Sequence, residues 1–400
     1  MTTEERITKE LLHEQAAIWY ISDLYGAKVM VKIPSASIKS VMKGCKVEFL
    51  FGRDNVQNPA MFHSGIKVHD DPVHYLSITG IERFLDEHAS LENIMGRSFT
   101  YIHFHDELSV CVATAKLAFS PGDQFKVTNL QGNIKLLYCG DFDNNAERSL
   151  DCFDHSLKME RNFENVYEIE TLAIEGTFSD WIVMRNDFIG DNYSNKIEVS
   201  NADEGGNFEQ QIAVVLDSLF YKQIFKNPLI KKGNGFRELT DVFAHYDHGL
   251  FLIETKALAI INTDAGRDMK RKVTGLQKQI GKGIDQLVGA WKKIELNVSV
   301  YDTNKNEIVF NRNMMPHCIV LVSELLPFGD WKTTELKMFV AMTENKLYLN
   351  VMDLREFMQY VGYAQGSKDR LNLMLIERVE NLIKHESIHM KLHVIKDDTN

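Results

Sequence analysis

The chain has 400 residues and a mass of 45.9 kDa, which is enough for two or three domains of about 100–200 residues each. Hydrophobic residues make up 44% of it, charged residues 25%, and the net charge is −11, which excludes collagen-like and largely disordered proteins and disfavours non-specific coating of nucleic acid. No apolar run reaches the roughly 18 residues that a membrane helix needs. Five cysteines without a C-x-x-C pair, and an N-terminus without a signal-peptide pattern, predict a cytoplasmic protein.

The first half of the sequence predicts a mainly β domain that follows a single helix. Apolar residues recur at helical spacing over residues 4–24, which predicts a helix. The short runs that follow are rich in Val, Ile, Phe, Tyr and Thr, as is typical of strands. These runs are AKVMVKI, CKVEFLFG, HYLSITG, SFTYIHFH, LSVCVATAKLAF, IKLLYCG, VYEIETLAIEG and DWIVMRN. We therefore interpret residues 1–200 as a mainly β recognition or regulatory domain.

The pattern changes near Ser200, where the polar stretch SNADEGGN predicts a linker. Helices are predicted at FEQQIAVVLDSLFYK, AGRDMKRKVTGLQKQIGKGIDQLVGAWKKI, DLREFMQYVGY and RLNLMLIERVENLIKHESIHM. Strands are predicted at RELTDVFAHY, GLFLIETKAL, HCIVLVSEL and KLYLNVM. This alternation predicts a mixed α/β domain over residues 205–400, with a central sheet flanked by helices.

Three charged side chains interrupt two otherwise apolar strands of the second domain. Asp241 lies within LTDVFA, and Glu254 and Lys256 end the run LFLIETK. Residues two apart on a strand face the same side of a sheet, and hairpin pairing brings Asp241 close to them. Carboxylates at the edge of an apolar core are unfavourable unless a positive charge compensates them. Because Mg²⁺ takes carboxylate oxygens, water and substrate phosphate, the three residues predict a magnesium site.

Two helices contribute further candidate residues. Glu209 lies on the apolar stripe of the predicted helix FEQQIAVVLDSLFYK. Gln279 and Gln286 lie beside the buried stripe of the long predicted helix that ends in GAWKKI. Between Arg267 and Lys293 the long helix carries eight basic and two acidic residues, which predicts a surface that binds phosphate. The candidate nucleic-acid-binding residues on this helix are Lys270, Arg271, Lys272, Lys278, Gln279 and Lys282.

The order helix-Glu, strand-Asp, strand-Glu-x-Lys and helix-Gln between Phe208 and Trp291 resembles the PD-(D/E)xK nuclease superfamily. The spacing is similar to its restriction-endonuclease-like and nuclease-related branch, which occurs in bacterial defence proteins. The resemblance implies a restriction-endonuclease-like mixed sheet with flanking helices. It further implies a nuclease that depends on Mg²⁺ or Mn²⁺ and cuts DNA, with double-stranded DNA as the favoured substrate. A role in phage defence or restriction, and a homodimer with one site for each strand, are further expectations.

The same resemblance assigns roles to individual residues. It implies Asp241, Glu254 and the Thr255 carbonyl as metal ligands, and Lys256 as the group that orients the attacking water and stabilises charge. The implied accessory acid is Glu209, and the implied contact to substrate or water is Gln286 or Gln279. The family name has proline where this chain has Thr240, a position that varies widely in the family.

Two other interpretations keep the same fold. In one, residues 205–400 bind nucleic acid or a partner protein without catalysis. In the other, the enzyme is latent until a signal ligand or a protein binds the N-terminal domain. Both would leave the residue pattern of the second domain unchanged, so the sequence alone does not separate them from an active nuclease.

Histidine patterns suggest a different chemistry. His385 to His389 match the zinc-binding pattern H-E-x-x-H on a predicted helix. A zinc protease needs a third protein ligand, and only His393 and two aspartates follow, so we do not expect one. The pairs His103 with His105 and His245 with His248 are expected to be structural or exposed.

Overall fold

The computed structural model describes residues 3–23, 26–71, 75–159, 164–189, 194–257 and 269–390. The chain divides into two compact units, Met1–Arg185 and Asn186–Asn400. Both units contain helices and mixed sheets, so the mixed α/β class predicted for the second domain is confirmed. Among the described residues, no helix combines the length and the apolar character that crossing a membrane requires.

The first unit is built on two sheets. Its elements are α1 (Thr3–His13), β1 (Ala17–Asp23), β2 (Gly26–Lys32), α2 (Ser35–Met42), β3 (Val47–Asp54), β4 (Met61–Val68), β5 (Leu76–Glu82), α3 (Leu85–Met95), β6 (Thr100–His105), β7 (Cys111–Ala118), α4 (Pro121–Gln131), a 3-10 turn (Ile134–Leu136), α5 (Asn144–Ser156), β8 (Glu170–Glu175) and β9 (Thr177–Val183). The strand orders are β1-β2-β6-β7-β9 and β5-β4-β3-β8. Neighbouring strands run antiparallel, except for the parallel pair β2 and β6.

The chain passes from one sheet to the other at Gly176, between β8 and β9. A Cβ atom at Gly176 would lie 2.6 Å from Phe49 Cε2 and 2.9 Å from Leu117 Cδ1, closer than carbon atoms approach without strain. Phe49 belongs to β3 of the four-stranded sheet and Leu117 to β7 of the five-stranded sheet. Glycine is therefore required for the sheets to meet this closely.

Three predictions for the first unit are wrong. The leading helix ends at His13, and Ala17–Asp23 forms β1, where the aromatic and β-branched run IWYI pairs with β2. The run IKLLYCG contains the 3-10 turn rather than a strand. The unit as a whole is mixed α/β and not mainly β, because it contains helices α2 to α5.

The start of α4 has a sequence signal, since the Ser120 side chain caps a helix whose first residue is Pro121.

A buried cluster of charged residues connects α1 to α3. Arg6 Nη1 contacts the Glu87 carboxylate, and Arg6 Nη2 donates to Asp86 Oδ2 at 3.1 Å. Beside this pair lies Glu82, which is fully enclosed and accepts a hydrogen bond from the Ser64 hydroxyl. Burial and the negative charge of Glu87 raise the pKa of Glu82 well above its usual value. Burial therefore favours the neutral form of Glu82 in the folded protein.

We expect Glu82→Gln to remove a pH dependence of stability. The unfolded chain releases the Glu82 proton above a pH near its usual pKa of 4.5, whereas the folded protein retains the proton to a higher pH. Wild-type stability therefore falls as the pH rises from that value toward the higher folded-state pKa, by up to about 1.4 kcal/mol per pH unit. Glutamine keeps the acceptor for Ser64 and has no proton to release. We therefore measure the free energies of unfolding of wild type and Glu82→Gln in urea at about pH 5 and about pH 8. The stability of the variant relative to wild type should be greater at the higher pH.

The matched control is Glu87→Gln in the same cluster. It removes the most buried of the three carboxylates that pair with Arg6, so it should destabilise the protein at both pH values, by up to about 3 kcal/mol. An unchanged pH slope in Glu82→Gln would show that Glu82 is ionised in the folded protein.

The second unit begins within β10 (Arg185–Ile189), at Asn186. Its other elements are β11 (Ser194–Glu198), α6 (Glu204–Asp217), β12 (Ile224–Lys226), β13 (Leu229–Lys232), β14 (Gly235–Glu238), β15 (Val242–Tyr246), β16 (Gly249–Lys256), α7 (Met269–Glu295), β17 (Val300–Tyr301), β18 (His317–Val322), α8 (Lys332–Asn345), β19 (Tyr348–Asp353), α9 (Leu354–Ala364) and α10 (Lys368–His385). The sequence placed the boundary between residues 200 and 205, but β11 belongs to the second unit, since Glu198 N donates to Asn207 of α6 at 3.2 Å.

The central sheet of the second unit has the order β12-β15-β16-β18-β19. The first three strands are antiparallel, and β16, β18 and β19 are parallel. A smaller sheet has the order β14-β13-β17. Helix α7 packs on the central sheet through Ile280, Ile284 and Leu287, which share one buried cluster with Leu250 and Leu252 of β16. The predicted buried stripe of the long helix is therefore confirmed.

Three details of the second unit differ from the predictions. The run RELTDVFAHY is split between β14 and β15, so Asp241 lies just before a strand and not within one. Helix α8 has no counterpart in the prediction. Helix α10 ends at His385, and Glu386 adopts the left-handed conformation with φ of 49°, so the H-E-x-x-H segment does not form the predicted helix. His393, Asp397 and Asp398, and the predicted helix start at residues 265–268, lie outside the described residues.

Candidate functional site

The hairpin of β15 and β16 brings the three central candidate residues together. Val242 pairs with Ile253, so Asp241, one residue earlier, lies opposite Glu254. Glu254 and Lys256 continue the side of β16 that faces α7, because side chains alternate along a strand. Lys256 Nζ lies 2.9 Å from Glu254 Oε2, and Glu254 is only 1% exposed. The charged groups therefore lie at the carboxyl end of a buried strand.

Asp241 is fixed by donors from β16. Its Oδ2 atom accepts hydrogen bonds from the Thr255 amide nitrogen at 2.6 Å and the Thr255 hydroxyl at 2.8 Å. The adjacent Thr240 hydroxyl donates to the Ile253 carbonyl at 2.8 Å. Thr255 therefore enters the site through its amide and its hydroxyl, whereas the resemblance implies its carbonyl as a ligand.

Glu209 of α6 belongs to the same cluster. The pKa of its half-buried carboxyl is raised by burial and by the negative charges of Asp241, Asp203 and Glu254, against a hydrogen bond from the Asn227 side chain. The backbone amide nitrogen of Asn227 also donates to the Asp241 carbonyl, at 2.8 Å. Its side-chain oxygen is buried and accepts no hydrogen bond from any described residue. Asn227 therefore adds an unsatisfied oxygen next to the acids.

The structure adds a fourth acid, Glu238, that the sequence analysis does not include. It ends β14 and shares a hydrogen bond with Asp241. Partial burial of the carboxyl, together with the charge of Asp241 and this hydrogen bond, raises the pKa of Glu238 to about 7. Two carboxyl groups form such a bond only when one of them carries a proton. The only sequence signal for Glu238 is its position three residues before Asp241.

The chemistry of this donor set fits a hard divalent cation. Burial and mutual repulsion raise the pKa values of Glu209, Glu238 and Glu254, and a cation would relieve that repulsion and replace the proton between Glu238 and Asp241. Carboxylate and amide oxygens suit Mg²⁺ and Mn²⁺. In the described part of the chain, however, no three acidic, histidine or cysteine side chains are arranged to hold a metal ion.

Helix α7 passes directly over the end of β16. A Cβ atom at Gly283 would lie 3.4 Å from Lys256 Cε and 3.1 Å from Val320 Cγ1, so glycine allows the helix to approach the lysine stem. Gln279 and Gln286 lie one turn on either side of Gly283, and both are exposed. Within the described residues, no hydrogen bond joins either glutamine to the four acids.

The basic residues of α7 form its outer surface. Lys272 is half-buried, and the other four candidate cations are exposed: Lys270, Arg271, Lys278 and Lys282. Asp285 on the same helix accepts a hydrogen bond from Lys337 of α8 at 2.8 Å. Because Lys337 compensates this acid, the described part of α7 carries a net positive charge.

Comparisons with models of protein families, with curated proteins and with solved structures find no match. The resemblance to PD-(D/E)xK nucleases therefore remains a prediction from the residue pattern. The acids, the lysine and the basic helix are the features of the second unit that bear on its function.

Proposed function

We propose that the second unit is a metal-dependent nuclease of restriction-endonuclease-like fold that hydrolyses phosphodiester bonds in DNA. The observation that supports this proposal is the grouping of Asp241, Glu254, Glu209 and Glu238 beside Lys256, at the end of one buried strand. The pKa values of three of these acids are raised, and the fourth, Asp241, shares a hydrogen bond with Glu238. Four such acids beside one amine form an unfavourable arrangement in the absence of a ligand. A divalent cation and a phosphodiester together would satisfy all of these groups.

Each group has a defined part in hydrolysis. Asp241 and Glu254 would hold the cation, which activates water and neutralises phosphoryl charge when bound. Lys256 places a second positive charge, on an amine whose stem is enclosed between Glu254 and α7. Glu209 and Glu238 would each bind a water molecule or carry a proton close to the cation. Nuclease barriers must fall by roughly 8–23 kcal/mol, which acid–base catalysis alone does not provide.

The remaining features suggest the biological context. The basic surface of α7 would bind the phosphate backbone of double-stranded DNA. Cutting both strands favours a homodimer with two sites. The first unit would recognise a signal ligand or a partner, and a role in phage defence within the cytoplasm follows from the resemblance alone.

The decisive experiment is digestion of plasmid DNA by the full chain with Mg²⁺ or Mn²⁺. We expect cleavage that chelation abolishes, and a loss of about 10²-fold or more in Asp241→Asn. The control is Asp285→Asn, which removes an exposed carboxylate of α7 and should leave the rate unchanged. Equal activity of Asp241→Asn and wild type would exclude this site.

A second candidate function is nucleic-acid binding without catalysis. The two carboxylates that would hold the cation already have protein partners, which favours this alternative. Thr255 donates to Asp241, and Lys256 pairs with Glu254. Tight DNA binding by the full chain, without cleavage in either metal, would support this alternative over the nuclease.

A further inference from the structure

The small sheet β14-β13-β17 has one face that is directed away from the core of the second unit. In its register, Lys231 pairs with Phe236, and Leu229 pairs with both Glu238 and Tyr301. Alternation places these side chains on one face and Ile230 on the other. Ile230 is 2% exposed and belongs to the core of the unit. The opposite face, which carries Phe236 and Tyr301, is therefore the outer face.

Two aromatic rings and two lysines form this outer face. The ring centroids of Phe236 and Tyr301 are 5.3 Å apart, with an interplanar angle of 88°. Lys231 Nζ lies 5.5 Å from the centroid of the Tyr301 ring, and Lys305 Nζ lies 5.5 Å from that of Phe236. Both rings are half-buried. Because a lysine amine lies over a face of each ring, a planar ligand that displaces the amine could stack there.

Lys231 and Lys305 give this face two amines that a phosphate could contact, beside the acids Glu238 and Glu307. An amine that leaves a ring face remains close enough to pair with a phosphate of the ligand that replaces it. The neighbouring acid Asp302 is directed into its own turn, where its two oxygens accept hydrogen bonds from Asn306 at 2.8 and 2.9 Å. The face therefore offers stacking surfaces and cations together.

The aromatic face continues into the acid cluster. Glu238 lies on the same face as Phe236 and two residues further along β14, a distance of about 7 Å. Glu238 also shares a hydrogen bond with Asp241. A strand of nucleic acid stacked on Phe236 would therefore have its neighbouring phosphate next to the acids.

We infer that Phe236 and Tyr301, flanked by Lys231 and Lys305, bind unpaired bases of a nucleic acid strand and place the adjoining phosphate at the acid cluster. Bases inside a duplex are already stacked and paired, so this face selects single-stranded segments. The delivery of the phosphate rests on the proposed nuclease function, whereas the stacking does not. The substrate would be a single strand, or a duplex with an unpaired end or junction.

The test is fluorescence anisotropy of the full chain with a labelled oligothymidine of about 15 nucleotides, and with a duplex of equal length. Chelator is present, so cleavage does not contribute. We expect wild type to prefer the single strand. Phe236→Leu and Tyr301→Leu keep apolar volume but lose the ring, and each should weaken single-strand binding by about 5- to 150-fold. The matched control is Phe125→Leu, a ring 68% exposed on α4 of the first unit.

A second variant tests the inference if a leucine variant fails to fold. Tyr301→Trp keeps an aromatic face, so it should bind the oligothymidine as wild type does. Its added fluorescence should be quenched when a base stacks on it. Replacing Lys305 with glutamine should reduce the slope of log affinity against log salt by about 0.7, the value for one phosphate contact to a single strand.

The outcomes separate this inference from the proposed function. Wild-type affinity in both leucine variants, unquenched Tyr301→Trp, or equal binding of duplex and single strand would overturn the inference, even if the chain cuts DNA. Ring-dependent binding without cleavage in Mg²⁺ or Mn²⁺ would support the stacking surface and contradict the nuclease.

Discussion

Replacing Lys256 with methionine is expected to lower the rate of metal-dependent DNA cleavage by about 10²–10³-fold. The Lys256 side chain is 13% exposed and lies between Glu254 and Gly283 of α7. Methionine is similarly long and unbranched, so it should fill the same space without the charge. The loss of rate would therefore measure a positive charge that acts on the phosphoryl group. Single-turnover cleavage of a labelled DNA substrate gives the rate of the chemical step.

The affinity for Mn²⁺ distinguishes a catalytic charge from a structural ion pair. Lys256 is a positive charge close to the predicted cation, so its removal should leave Mn²⁺ binding unchanged or tighter. The charge of Lys256 also lowers the pKa of Glu254, which burial and Asp241 otherwise raise. Without the lysine this pKa rises further, so protonation competes with the metal at low pH, and the titration belongs at about pH 8. A parallel fall in rate and affinity would mean that Lys256 only orients Glu254.

Lys337→Met provides the matched control. Lys337 Nζ also contacts α7, where it donates to the Gly281 carbonyl at 2.7 Å and to Asp285 at 2.8 Å. Its partner is an exposed carboxylate, so the pair contributes little to stability. Cleavage by this variant should remain within about twofold of wild type. An equal loss of activity in both lysine variants would indicate a general disturbance of α7 and would contradict a specific role for Lys256.

The central part of the candidate site could be derived from the sequence because local rules determine it. The run LFLIETK is apolar until its end, which is typical of a buried strand, and alternation alone places Glu254 and Lys256 on one side. Asp241 follows from the hairpin, since only the turn between Tyr246 and Gly249 separates β15 from β16. These rules involve neighbours in sequence or across one turn.

The rest of the site depends on segments that are too short to show a period. Strands β12, β13 and β14 have three or four residues each, too few for apolar alternation to be recognised. They nevertheless position Asn227 and Glu238 beside Asp241. Asn227 also has a φ of 47°, a conformation that asparagine tolerates better than most residues. Tertiary contacts, and not a sequence pattern, bring these two side chains to the acids.

Strand β4 shows a different reason for a missed element. Its sequence MFHSGIKV contains His63, Ser64 and Gly65, so it does not read as an apolar strand, yet seven of its eight residues are buried. Two of its polar groups have distant partners, since His63 Nε2 contacts Ser149 Oγ at 2.8 Å and the Ser64 hydroxyl donates to Glu82. Buried polar groups require such partners, and a sequence read locally does not reveal them.

Arg378→Met is expected to destabilise the second unit by about 3–5 kcal/mol. The Arg378 side chain is 0% exposed, and its Nε and Nη2 atoms bind the two carboxylate oxygens of Glu356 at 2.7 and 3.0 Å. It also donates to Asn350 Oδ1 at 3.2 Å and to the Val351 carbonyl at 2.9 Å. One guanidinium therefore joins α10, α9 and β19, and its removal leaves several buried acceptors unsatisfied.

A double variant separates the ion pair from the packing around it. Arg378→Met leaves the Glu356 carboxylate, whose pKa is already raised by burial, without its cation, whereas Arg378→Met/Glu356→Leu removes both charges. Because a buried pair replaced by apolar groups is often nearly neutral in stability, the double variant should be more stable than the single variant. Calorimetric unfolding measures both. A double variant less stable than Arg378→Met would show that the unpaired Glu356 carboxylate does not account for the loss of stability in the single variant.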